Sequence, residues 1–126
     1  MRKLCILGST GSIGVNTLDV VRLHPTMFSI ESLSANTRVE EMLAQCQEFT
    51  PTVVVMVNES SAKQLKDKLQ ANGLSEITVL SGTQALIDIA KESTTDTVMA
   101  AIVGASGLLP TMAAVEAGKR VLLANK

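Results

Sequence analysis

A doubly wound α/β domain with a mainly parallel sheet is the architecture the sequence predicts, on three observations. Short apolar, β-rich runs alternate with helix-patterned stretches from one end of the chain to the other. Several of those runs are continuously apolar, notably Val53-Val54-Val55-Met56-Val57 and Val98-Met99-Ala100-Ala101-Ile102-Val103. Strands buried on both faces read this way, as in a parallel sheet covered by helices. Finally, the first run, Leu4-Cys5-Ile6-Leu7, leads directly into Gly8-Ser9-Thr10-Gly11-Ser12-Ile13-Gly14, a strand feeding a glycine-rich turn ahead of a helix.

Taken in order, the strands are expected at 3–7, 28–34, 52–57, 77–80, 97–103 and 120–124. Ile13 to Leu23 forms the first helix. Val39, Met42, Leu43, Cys46 and Phe49 recur at helical spacing and give the second. Ala62, Leu65 and Leu69 mark the third, closed by Asn72-Gly73 in the manner of a C-cap. Leu86, Ile87 and Ala90 suggest a short fourth, and Pro110 opens a fifth that Gly118 ends. The expected strand order is 3-2-1-4-5-6. No linker, repeat or low-complexity segment divides the chain.

Composition narrows the function classes. The 126 residues suit one domain. Hydrophobic residues at 46%, charged residues at 18% and a net charge of −1 place the chain among soluble globular proteins. There is no basic excess for nucleic acid, and with two Phe, no Tyr and no Trp there is no stacking platform for bases. The apolar run after Met1-Arg2-Lys3 breaks at Gly8, too soon for a signal peptide or a membrane span. Cys5 and Cys46 form no C-x-x-C and fall in a strand and on an apolar helix face, so both are expected as buried packing residues in a reducing, cytoplasmic setting.

The candidate chemistry gathers at the glycine turn. Glycines there allow a tight bend and close approach of a pyrophosphate, and a following helix N-terminus offers N–H groups to the anion. The spacing G-x-x-G-x-x-G is a variant of the dinucleotide fingerprint, so the domain reads as Rossmann-like. A P-loop is excluded, since its glycine, lysine and hydroxyl residue would have to stand where Ile13, Gly14 and Val15 do.

An NAD site usually carries an acid at the end of the second strand, about 20 residues on, for the ribose 2′-hydroxyl. Here that stretch is Ser34-Ala35-Asn36-Thr37-Arg38, with no acid and one arginine. Polar donors and a guanidinium suit a 2′-phosphate, so NADP is favoured over NAD. The alternative role for Thr37 and Arg38 is simply to start the second helix, with Thr37 as N-cap.

Gly104-Ala105-Ser106-Gly107 follows the fifth strand and should border the same crevice, as should Asn125 and Lys126 at the end of the sixth. Plain readings of both are a strand-to-helix turn and a solvated chain end. His24 precedes Pro25 at a helix end and is expected on the surface. Glu31, Glu40, Glu41, Glu48, Glu59, Asp67, Asp88, Glu92 and Asp96 are scattered, with no pair at metal-ligand or acid/base spacing. Without tyrosine, Tyr-x-x-x-Lys chemistry is impossible. The chain is equipped to hold a cofactor and not to turn over a substrate.

Three segments carry a family resemblance. Ile6-Leu7-Gly8-Ser9-Thr10-Gly11-Ser12-Ile13-Gly14 with Thr17-Leu18-Asp19-Val20-Val21, then Met99 through Thr111, and finally Leu122-Leu123-Ala124-Asn125-Lys126 closely resemble the N-terminal part of 1-deoxy-D-xylulose 5-phosphate reductoisomerases. Members run to about 400 residues, two to three domains by ordinary sizes, so the chain resembles only their NADPH-binding portion, residues 1–126, without the catalytic and C-terminal domains. The resemblance implies an NADPH-dependent oxidoreductase/isomerase of the non-mevalonate isoprenoid route, converting 1-deoxy-D-xylulose 5-phosphate to 2-C-methyl-D-erythritol 4-phosphate. It implies a divalent metal (magnesium, manganese or cobalt) and a homodimer for the full-length enzyme.

By position, Thr10, Gly11, Ser12 and Ile13 would line the pyrophosphate and ribose, Asn125 would contact NADPH, and Lys126 would contact the sugar phosphate. At Asn36, Thr37 and Arg38 the family often has Gly-Lys-Asn, so these residues depart from its pattern and Arg38 would replace its usual cation. The family's acidic metal ligands lie beyond Lys126. The chain alone is therefore expected to be inactive, with neither catalytic nor metal-ligating residues of its own. Alternatives are the nucleotide domain of another G-x-x-G-x-x-G reductase, such as a semialdehyde dehydrogenase, or a non-enzymatic nucleotide sensor. An Asp-x-Glu pair shortly downstream favours the reductoisomerase, and a stop codon the sensor.

Overall fold

The structure is a computed structural model that describes residues 1–102 and 107–123. Strand β1 (Arg2–Leu7) leads through the glycine turn to α1 (Ser12–Leu23) and β2 (Phe28–Ala35). Then follow α2 (Val39–Phe49), β3 (Val53–Met56), α3 (Glu59–Ala71), β4 (Thr78–Ser81), α4 (Thr83–Ala90), β5 (Thr97–Ala100), α5 (Leu108–Glu116) and β6 (Arg120–Leu123). Every strand pairing among the described residues is parallel. The doubly wound α/β expectation holds.

The strand order is β4-β3-β2-β1-β5-β6, which corrects the expected 3-2-1-4-5-6. The crossover through α3 continues in the direction of the two before it, so β4 extends the first half of the sheet and only the next connection reverses. The reversal thus falls between β1 and β5, one strand later than expected. Exposure along β4 is that of an edge: Thr78, Leu80 and Ser81 are exposed, whereas Val54, Val55 and Met56 of β3 are fully buried.

Helical periodicity decides the layers. Leu18 and Val21 of α1, Met42 and Cys46 of α2, and Leu65 and Leu69 of α3 form one core with Ile6, Leu33 and Val54 of the sheet. Ala85, Leu86, Ile89 and Ala90 of α4 and Ala114 of α5 form a second core with Cys5, Leu7, Val55 and Val98 on the opposite face. The buried face of α4 runs through 85, 86, 89 and 90, with Ile87 half-exposed, a one-residue rotation from the expected 86/87/90 set. Cys5 and Cys46 are both fully buried, one in each core. Burial pushes both thiols up to about 12. Neither is poised as a nucleophile.

Helix ends follow local chemistry. The Asn58 side chain accepts from the Ser61 N–H at 2.9 Å and caps α3. Gly73 and Gly118, at φ +74° and +76°, close α3 and α5 in the left-handed conformation that glycine tolerates. His24 is the exposed C-cap of α1, as expected. The fifth strand stops at Ala100, short of the expected 103. Val103 and Ala124, each the last residue of an expected strand, lie outside the described residues.

Candidate nucleotide-binding crevice

The carboxyl ends of the strands open into a crevice of about 270 Å³ at the β1–β5 reversal. Gly8, Thr10 and Gly11 line it from the turn after β1, Ser34, Ala35 and Asn36 from the end of β2, and Val57 from beyond β3. Thr83 and Leu86 of α4 wall it on the other face, and Ala101 and Ile102 close it beyond β5. Ligands of open α/β sheets lie at such a switch of strand order, outside the carboxyl ends of the strands.

The three glycines of the motif do different work. Gly8 has φ +83°, and a Cβ there would lie 3.1 Å from Ile102 Cγ1 and 3.2 Å from the Ala101 backbone. Gly14, buried in the first turn of α1, would drive a Cβ to 2.2 Å from the Gly8 carbonyl oxygen, so it sets how closely helix and strand approach. Gly11 is exposed, and a Cβ on it would meet only the Gly8 oxygen at 3.8 Å. The protein itself leaves room at Gly11. Gly11 is also the N-cap of α1, with no side-chain cap and no acid in the first turn, so that helix end keeps its positive character for an anion.

The loop is held from behind. Ser34 Oγ accepts from the Gly8 N–H at 2.9 Å, and the Ser9 N–H donates to the Ser34 carbonyl at 2.8 Å. Ser34 is only 1% exposed, and its hydroxyl oxygen is engaged by the turn behind the crevice wall. Gln45 of α2 completes the support: its Oε1 lies 2.7 Å from Ser9 Oγ, and its Nε2 donates to the Ser9 carbonyl at 2.9 Å.

Of the residues singled out from sequence, the structure brings Thr10, Gly11 and Asn36 together on the crevice wall. Ser12 is exposed at the start of α1, and Ile13 is half-buried with its carbonyl accepting from the Thr17 hydroxyl at 2.9 Å. Thr37 and Arg38 are exposed at the rim, just outside the lining. Arg38, not Thr37, is the N-cap of α2, and it caps through no side-chain hydrogen bond. Its Nη1 lies 3.5 Å from the Thr10 carbonyl and 3.8 Å from Glu41 Oε2, loose contacts that leave the guanidinium largely in solvent. Gly104, Ala105, Ser106, Asn125 and Lys126 lie outside the described residues.

Gln45, Val57, Thr83 and Leu86 escaped sequence reasoning. Gln45 sits among helix positions that read as amphipathic surface, and the other three reach the crevice only through the strand order. Among the described residues no three of His, Cys, Asp or Glu come close enough to hold a metal ion, and no helix is long and apolar enough to cross a membrane.

The family model for 1-deoxy-D-xylulose 5-phosphate reductoisomerase matches residues 4–126. The chain belongs to that family. A reductoisomerase from Colwellia psychrerythraea strain 34H is 65% identical over 125 residues, covering 99% of this chain and 30% of the relative. A crystal structure of the reductoisomerase in complex with NADPH, fosmidomycin and magnesium superposes with a TM-score of 0.94 at 46% identity, covering 99% of this chain and 30% of that one. The Zymomonas mobilis reductoisomerase in complex with NADPH gives 0.89 at 34% identity, covering 98% and 32%. The chain therefore spans about a third of the length of the reductoisomerases it matches.

Proposed function

We propose that this chain is the NADPH-binding portion of a 1-deoxy-D-xylulose 5-phosphate reductoisomerase, the enzyme that rearranges and reduces 1-deoxy-D-xylulose 5-phosphate to 2-C-methyl-D-erythritol 4-phosphate in non-mevalonate isoprenoid synthesis. One observation carries the reading: a glycine turn with an open Gly11 and an uncapped helix end faces a crevice at the strand-order reversal. An open Cβ position beside unneutralised helix N–H groups is the shape and charge a pyrophosphate requires. The relatives solved with NADPH support the choice of ligand.

Bound there, NADPH would supply a hydride. Thr10, Gly11, Ser12 and Ile13 would hold its pyrophosphate and ribose, and Asn36, Thr37 and Arg38 would surround the 2′-phosphate. Arg38 is the one cation of that stretch, and no acid in it opposes the phosphate. Asn125 would continue the NADPH site and Lys126 would meet the sugar phosphate. The divalent cation would be held by parts of the longer relatives that this chain does not match. We place the full-length enzyme in the cytoplasm as a homodimer acting on a small molecule. Residues 1–126 constitute its nucleotide domain and are inactive alone.

Titration calorimetry with NADPH and NADH tests the reading. NADPH is expected to bind more tightly, and Arg38→Ala to narrow the difference by about 1–2 kcal/mol, the scale of one charge-assisted hydrogen bond. Equal affinities would remove the 2′-phosphate assignment. With substrate and manganese added, the NADPH absorbance should stay at the no-enzyme rate. Metal-dependent oxidation would mean that the chain holds a complete site.

A further inference from the structure

We infer that Gln45 is a positioning residue for the nucleotide, acting through the glycine turn; the nucleotide part of this inference rests on the reading above. Ser9, in the middle of the turn, is 0% exposed, so each of its polar atoms must find a partner inside the protein. The Gln45 amide meets two of them at once: Oε1 takes the hydroxyl proton at 2.7 Å and Nε2 donates to the carbonyl at 2.9 Å. Only this orientation of the amide satisfies the Ser9 carbonyl, because a reversed amide would set oxygen against oxygen. The Ser9 N–H is held independently by the Ser34 carbonyl.

The peptide planes on both sides of Ser9 are thereby fixed. These planes set where Thr10 and Gly11 face the crevice. Arg38 lies at the start of the same helix, its exposed guanidinium 3.5 Å from the Thr10 carbonyl. One rigid element, α2, therefore keeps the turn and the rim cation in register. Helix packing alone does not require this, since Met42 and Cys46 already seat α2 on the sheet through fully buried apolar contacts. Gln45 adds a polar link that reaches past the core to the turn.

The test uses Gln45→Met, which keeps the side-chain length and removes both hydrogen bonds, and Ser9→Ala, which removes the hydroxyl with little change of shape. Two readouts are taken on the same chain: amide hydrogen exchange and NADPH affinity by calorimetry. Both variants should speed exchange at Gly8–Gly11 while leaving β3 amides at their original rates. Gln45→Met should weaken NADPH about tenfold, the scale of one to two net hydrogen bonds. The double variant should be no weaker than Gln45→Met, because the two residues act through one link.

Unchanged exchange in the turn, or exchange that rises equally across the sheet, would overturn the positioning role. So would NADPH binding by Gln45→Met as tight as by the unaltered protein. If the unaltered protein does not bind NADPH but turn exchange rises in the variants, the link to the turn stands and the nucleotide reading fails. Should Gln45→Met not fold, Ser9→Ala decides by the same two readouts.

Discussion

Gly8, Gly11 and Gly14 stand at equal spacing in one motif, and each is glycine for its own reason. The first has a left-handed backbone and the third lets a helix approach a strand; only the middle one leaves an open place for a ligand. The sequence made the motif legible but not this division, because the cause of each constraint lies in other segments: Ala101 and Ile102 for Gly8, and the Gly8 carbonyl for Gly14. The division can be measured. Gly14→Ala should lower the urea-unfolding free energy by about 2 kcal/mol or more, since a backbone oxygen at 2.2 Å cannot yield without moving the helix. Gly11→Ala should stay within about 1 kcal/mol, the cost of a poorer N-cap. Gly11→Val should fold by circular dichroism and lose dinucleotide binding, because its branches would stand where the phosphates go. A folded Gly11→Val that binds normally would move the nucleotide away from this turn. At Asn36–Arg38 the absent acid was plain in the sequence, whereas the commitment of Ser34 to Gly8 was not, since a serine's partner is set by folding.

At the scale of elements, periodicity located the helices and strands well, with the second helix face matching at every named position. What periodicity does not encode is the ties between elements. Arg22 of α1 forks onto Glu48 of α2, pairs with Asp19 of its own helix, and lies 5.4 Å from the Phe49 ring centroid. The Arg22 hydrogen bonds hold the Glu48 carboxyl below its ordinary value. At the amino ends of β1 and β5, Asp96 loses some solvent, which would raise it. The Lys3 N–H and the Thr97 hydroxyl outweigh that and hold it low, joining the starts of β1 and β5. A carboxyl whose folded value is depressed contributes fully above its unfolded value and loses that contribution as pH falls through the folded one. Urea midpoints should therefore be flat near neutrality and decline below about 4.5, the ordinary glutamate value. Glu48→Gln should shallow that decline while lowering the neutral midpoint only slightly, because the pair is exposed and screened. A decline of unchanged steepness in Glu48→Gln would show that the α1–α2 tie contributes nothing to acid stability.

For the whole molecule, continuously apolar strands alternating with helices were enough to specify a doubly wound parallel sheet. They did not place the reversal of strand order, because crossovers to either edge of a sheet bury the same apolar surface. A local signal was β4, polar at both ends in Thr78 and Ser81 and largely exposed, beside a β3 that is apolar throughout. Placing β5 rather than β4 beside β1 makes α4 the reversing crossover, and Thr83 and Leu86 join the crevice wall. The sheet also separates the interior into two compartments, and the chain's two thiols happen to be divided between them: Cys46 beneath α1–α3 and Cys5 beneath α4–α5. Sealed off and held protonated, neither can be alkylated until its own compartment opens. The rates at which a small alkylating reagent reaches the two cysteines thus clock the breathing of the two halves separately. A molecule lodged in the crevice touches both halves, and it should slow the two clocks together.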